Sequence, residues 1–209
     1  MMNGFGEDYF DRVTEAVEEA ETKTSAEVVV AIHPRSGSYR DVDYLCGALA
    51  ALVGLLFIVF NPWTTHPPEF LPLEMAALFV IGTLGCSVCP PLRRLLSTGK
   101  RRGRQTEATA QALFCEEGVA NTRARTGVLL YLSLLEREVA VMADVGVADG
   151  VEPEAWSRML FELKKIGSAS DSAAALLEGI RRLGDVLGEH LPAGEDNPDE
   201  IPNRPRTKR

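Results

Sequence analysis

The sequence predicts an α/β domain interrupted by a two-helix transmembrane hairpin. Three observations predict it. Two stretches, Tyr44 to Phe60 and Leu73 to Cys89, are almost free of charge and long enough for membrane helices. Apolar runs of strand length, Val28 to Ile32 and Val128 to Leu134, alternate with segments whose apolar residues recur at helical spacing. The rest of the chain is rich in acid, as a water-facing domain would be.

The first segment is amphipathic: Phe10, Val13, Val17 and Ala20 fall on one helical face, with Glu15, Glu18, Glu19 and Glu21 mostly off it. The helix stops near Thr22 to Ser25. The run Val28 to Ile32 follows, and its lack of alternation predicts a strand buried on both faces. After a short Ser/Gly link comes Tyr44 to Phe60, which contains no charge. Seventeen helical residues rise about 25 Å, close to the ~30 Å hydrocarbon core once the stretch extends to Trp63. The link from Asn61 to Pro72 is rich in Pro, and Trp63 fits an interfacial aromatic belt. Leu73 to Cys89 carries one charge, Glu74, near its start; with the helix beginning near Phe70, Glu74 sits about one turn inside and can reach the headgroups.

Beyond the second apolar stretch, Thr106 to Glu117 reads as a helix with Ala108, Ala112 and Cys115 on one face and Gly118 as its stop. Val128 to Leu134 is a strongly apolar strand. Leu135-Glu136-Arg137 is read as an exposed turn, and Glu138 to Ala143 as an antiparallel partner strand. Glu152-Pro153 opens a helix with core residues Trp156, Leu160, Leu163 and Ile166. Ser170 or Asp171 caps a last helix that carries Leu176, Leu177, Ile180, Leu183 and Leu187. The expected organisation is therefore one discontinuous α/β domain over residues 8–33 and 105–192, a transmembrane hairpin over 44–89, and a polar, flexible tail over 193–209.

Charge distribution orients the chain. Of 22 basic residues, ten lie in two acid-free segments, 93–104 and 204–209, leaving 12 bases against 30 acids, or −18, elsewhere. So acidic a domain repels phosphate backbones, which excludes nucleic acid as a partner. The link between the helices has no Lys or Arg, whereas six follow the second helix within twelve residues. The positive-inside rule puts both termini of this multi-pass chain in the cytoplasm, at an inner or plasma membrane. No cleavable signal peptide is visible at the acidic N-terminus. The four cysteines do not form a spaced disulfide framework, and Cys86-Ser-Val-Cys89 has no second pair to complete a zinc site.

Several stretches carry a resemblance: Glu21 to Val30, Thr126 to Ser133, Glu136 to Asp144 and Gly179 to Gly184. In order and spacing they resemble the TPM domain family, a family of unassigned biochemistry. It includes thylakoid-lumen proteins linked to photosystem II repair, a worm receptor modulator and many bacterial membrane proteins. The resemblance covers most of residues 8–203 outside the hairpin. It implies an α/β sandwich with a small mixed sheet between helices, and insertion of the hairpin after the first strand resembles one bacterial branch. This chain has Thr126 where many members have Asp or Asn before the strand-opening Gly, and Asp144-Val-Gly146 where many have Gly-x-Gly.

Candidate chemistry is sparse. There is no GxSxG, HExxH or phosphate-binding Gly loop. His33, His66 and His190 are separated by the expected topology, and no His is predicted near Ser133. Asp144, just past a strand end, and Asp149 are the candidate ligands for a divalent cation, with Asp196, Asp199 and Glu200 as further carboxylates if the tail folds back. Arg123 and Arg125 are candidates for an anion. Gly47 with Ala51, Ala50 with Gly54, and Gly82 on the second helix are small residues that would admit a second helix closely, either the other helix of the hairpin or a helix of a partner membrane protein. The expected function, as the resemblance implies, is a non-enzymatic membrane adaptor in the assembly or quality control of a membrane complex, partnered by the bilayer and another membrane protein. The alternative, implied by an activity proposed for plant members of the family, is a metal-assisted phosphatase, with Asp144 and Asp149 as its support in this chain.

Overall fold

A computed structural model describes residues 5–61, 67–194, 198 and 200–207. The chain divides into two compact units, residues 1–37 with 102–209, and residues 38–101.

The discontinuous unit is a mixed α/β fold around a small sheet. Its first helix, α1 (Glu7–Glu21), buries Val13, Val17 and Ala20 and begins with Glu7 and Asp8, which suit the positive end of the helix dipole. Strand β1 (Val28–His33) is buried along its whole length. The next elements, α2 (Arg40–Phe60), α3 (Leu71–Val88) and α4 (Pro90–Leu96), form the second unit. They lead to α5 (Gly99–Glu116), β2 (Val128–Ser133) and β3 (Glu138–Ala143). Helices α6 (Val145–Gly150), α7 (Pro153–Ser168) and α8 (Ser172–His190) follow, and the chain ends in β4 (Arg206–Thr207). Asp171, one of the two predicted caps, accepts the N–H groups of Ala173 and Ala174 at 3.1 and 3.0 Å.

The sheet order is β3-β2-β1-β4. β1 runs parallel to β2, with Val28 opposite Val128 and His33 opposite Ser133. β2 and β3 are antiparallel, and β4 lies parallel to β1. A register slip of one residue would turn the wrong side chains into each core. Here the period of two divides the apolar residues cleanly. Val28, Val30, Ile32, Val128, Leu130 and Leu132 face α1, α7 and α8. Val29, Ala31, Leu129 and Tyr131 face Ala110 and Leu113 of α5. The unbroken apolar composition of β1 and β2 follows from cover on both faces.

The tail departs from expectation. Read as flexible, it instead returns to the sheet at its end. Ile201 is buried in the α5-side core, its N–H reaches Glu27 Oε2 at 3.3 Å, and Arg206 Nε donates to Glu117 at 2.6 Å. A two-residue strand gives no periodic signal, and its stabilising partners lie far away in sequence. The short helices α4 and α6 were likewise absent from the sequence reading.

In the second unit, α2 and α3 are long and apolar enough, by length and composition, to cross a membrane. Leu45, Leu49, Val53, Phe57, Leu73, Ile81 and Leu84 stand exposed on them. The core helix of a soluble protein would bury such residues. Pro90 and Pro91 end α3 because neither can donate to its hydrogen-bond ladder. The foot of the hairpin is closed by arginines: Arg93 Nε and Nη2 donate to the two oxygens of Asp43 at 2.8 and 2.6 Å. Arg101 pairs with Asp41, and its guanidinium lies 5.5 Å from the centre of the Tyr39 ring.

Candidate functional site

Two polar clusters and one set of small residues are the places where this chain could do chemistry or bind. The first cluster sits where β1 hands over to residues 34–37, on the α5 side of the sheet. Tyr131 and Ser133 project there from β2, and Glu136 follows in the turn to β3. Glu136 is buried at 1 % exposure. Its carboxylate accepts the backbone N–H of Ser36 at 3.1 Å, that of Gly37 at 3.2 Å and the hydroxyl of Ser133. Ser36 Oγ and Tyr131 OH are 2.8 Å apart, and Thr109 Oγ1 donates to the Ser36 carbonyl at 3.0 Å. Burial pushes the Tyr131 hydroxyl above its ordinary pKa. His33 packs edge-on to the Tyr131 ring, 5.2 Å between centroids.

This corrects two readings. Glu136 is not an exposed turn residue, and Ser133 does have a histidine beside it, since His33 is its register partner across β1 and β2. The arrangement is nonetheless not that of a nucleophile. Ser133 is fully buried, and its hydroxyl proton is directed to Glu136. A carboxylate that gathers two loop N–H groups and a strand hydroxyl acts as a tether. It fixes the segment through which the chain leaves the sheet.

Arg137, the next residue, turns the opposite way. Its backbone has φ 54°, in the left-handed region, so the turn is tight. Its guanidinium donates to the carbonyls of Gly167, Ser168 and Ala169 at 3.1, 3.0 and 2.7 Å, closing the C-terminal end of α7. A Cβ at Gly167 would lie 2.6 Å from the Arg137 carbonyl carbon, so only glycine admits this approach.

The second cluster is the strand end that holds Asp144. Asp144 is buried, and its oxygens accept Arg125 Nε and Nη2 at 2.6 and 2.8 Å and the N–H of Val145 at 2.8 Å. The Arg125 guanidinium, ahead of a smaller opposing effect of burial, holds the Asp144 carboxyl below the ordinary carboxylate range. Asp149, the other candidate ligand, is exposed on α6. Asp196 and Asp199 lie outside the described residues. Glu200 accepts the N–H of Arg123 at 3.1 Å. Among the described residues no group of three or more His, Cys, Asp or Glu side chains converges as a cation would require. The divalent-cation reading of Asp144 and Asp149 is thus replaced by an internal ion pair: a guanidinium supplies the positive charge. It also withdraws Arg125 as an anion site.

The small residues of the hairpin pack α2 against α3. A Cβ on Gly82 would lie 2.7 Å from Ala50 Cβ, and Gly47 faces Thr83 and Phe79. Gly54 faces Leu78. Ala51, one turn on from Gly47, is half-buried. Of the two readings of Gly47, Ala51, Gly54 and Gly82, the geometry is that of packing within the hairpin rather than of an open face for a partner helix: Gly47, Gly54 and Gly82 let its two helices approach. All four cysteines are free thiols. His66 and Trp63 lie outside the described residues, and His190 Nδ1 is 3.0 Å from the Val186 carbonyl on its own helix.

Sequence signals for the Glu136 cluster existed. Ser133 lies in a strongly apolar strand, and a buried hydroxyl needs a partner. Glu136, three residues on, is the nearest carboxylate in sequence.

No protein-family model matches the chain, and no curated protein does. Among solved structures, the chain is similar to the NMR structure of the BA42 protein from the psychrophilic bacterium Bizionia argentinensis. The TM-score is 0.60 at 16 % identity, over 100 % of this chain and 99 % of that one. At that identity the likeness concerns the fold alone.

Proposed function

We propose that this chain is an integral membrane protein whose TPM-like α/β domain is a non-enzymatic adaptor, serving the assembly or quality control of a membrane complex. The observation that carries the reading is the outward face of α2 and α3. Large apolar side chains cover it, including Leu49, Val53, Phe57 and Ile81, and lipid is the medium that would cover them. The sheet supports an even number of crossings. β1 precedes the hairpin and β2 follows it, yet the two pair along six residues, so both ends of the hairpin emerge on one side. The six basic residues after α3 favour the cytoplasm for that side.

The adaptor reading is preferred to a phosphatase because the carboxylate on which hydrolysis would depend, Asp144, is already engaged by Arg125. Two measurements test it. Membranes washed with alkaline carbonate should retain the full chain, and its release would remove the membrane premise. Affinity purification in mild detergent should recover a stoichiometric membrane partner. Recovery of none, together with phosphoester turnover abolished by Asp144→Asn, would establish the enzymatic alternative.

A further inference from the structure

Outside the hairpin unit, the large apolar side chains that stand open to solvent among the described residues are Val145 and Phe161. Phe161, 64 % exposed, lies on α7 beside an open groove of about 480 Å³ between α7 and α8. The floor is apolar, formed by the buried core residues Met159, Leu163 and Ile166 against Gly179. The walls differ in charge. On the α7 side are Arg158 and Lys165, with Glu162 paired to Lys165 at 2.6 Å. On the α8 side are Glu178, Asp185 and Glu189, with Arg182 paired to Glu178 at 3.0 Å and Lys23 to Asp185 at 2.9 Å. These pairs are exposed, so each is weak and free to exchange partners. With Lys23 included, the net is one positive charge along α7 and one negative along α8.

The lining residues of α7 run from Ala155 to Ala169, about 21 Å of helix, or four turns. A small ligand would cover a fraction of that length. A helix laid in the groove would cover all of it. We infer that the α7–α8 groove docks an amphipathic helix of a partner protein, apolar ridge on the floor, acidic flank along Arg158 and Lys165, basic flank along Glu178 and Glu189. Phe161 is the exposed aromatic anchor on its shoulder. This rests on the adaptor reading, to which it adds the docking surface and the chemistry of the partner segment.

The probe is a synthetic fifteen-residue helix with Leu at three- and four-residue spacing, Glu on one flank and Lys on the other. It is titrated by fluorescence anisotropy onto the full chain reconstituted in lipid nanodiscs. Saturable binding is expected. Phe161→Ala and the double variant Glu178→Lys/Glu189→Lys should each weaken it at least fivefold while leaving the thermal unfolding midpoint unchanged. Peptides with Lys, or with Glu, on both flanks should bind less tightly than the mixed one. Absence of saturable binding, or equal binding by wild type and variants, overturns the inference. So does a doubling of protein mass abolished by the same variants, which would assign the groove to a second copy. Release of the chain by carbonate would sink the adaptor reading without altering this titration, so the two can fail separately.

Discussion

Glu136 and Arg137 are neighbours in one turn, and each holds a different part of the fold. Glu136 reaches back across a hundred residues to the N–H groups of Ser36 and Gly37, and Arg137 reaches forward to the carbonyls ending α7. Glu136→Ala leaves two loop N–H groups and a buried hydroxyl without their acceptor, at a cost of about 2–4 kcal/mol. Thermal unfolding in detergent should show the loss, and an unchanged midpoint would remove the tether. At Asp144 the pH dependence has a definite sign. Its folded carboxyl lies below the ordinary value because of Arg125. The pair therefore stabilises the fold fully above the unfolded carboxylate pKa of about 4, and that contribution is lost as pH falls through the lower folded value. Arg125→Met should lower the unfolding midpoint at pH 7 and flatten the acid limb of the stability profile. A parallel acid limb would detach Asp144 from the effect. Of these residues, sequence reading singled out Asp144 and Arg125 separately. It could not join them, because nothing in their nineteen-residue separation says that a left-handed Arg125 (φ 55°) turns its side chain onto the strand end.

Among the elements, the hairpin helices were legible in outline because hydropathy over seventeen residues is a strong signal. Gly47, Gly54 and Gly82 were legible as close-packing residues, but glycine spacing alone does not decide between the other helix of the hairpin and a further helix. Gly82→Val would force a branched side chain against Ala50, Gly47 and the Cys46 carbonyl, and overpacking of this kind costs about 1–3 kcal/mol. The expected readout is earlier protease cleavage of the hairpin in micelles, with Leu52→Ala on the exposed face as an unaffected control. The tail offers a sharper contrast. Were residues 193–209 flexible, truncation after Ala193 would be silent. With Ile201 in the core and Arg206 on Glu117, truncation should cost about 2–4 kcal/mol. A midpoint equal to that of the intact chain would restore the flexible reading.

For the molecule as a whole, the alternation of strand, hairpin and strand has a topological consequence. A chain that leaves the α/β unit at residue 37 and re-enters it after residue 101 needs both of those ends on one side of any bilayer it crosses. In a cysteine-free background, Cys placed at Asn61 should react with an impermeant maleimide added outside cells, and Cys placed at Arg204 only after permeabilisation. The reverse pattern would invert the proposed orientation. Local composition was enough to specify the apolar helices, the doubly buried strand β1, the strongly apolar strand β2, the stripes of α1, α7 and α8, and the acidic surface. Each of these is a property of consecutive residues that share one polar or apolar character. Tertiary structure alone decided that Glu136 is buried, that Arg125 neutralises Asp144, that the hairpin glycines face each other and that Ile201 and β4 complete the sheet. Those outcomes depend on pairs 19 to 174 residues apart, and a polar or small residue carries no mark of the distant group that will meet it.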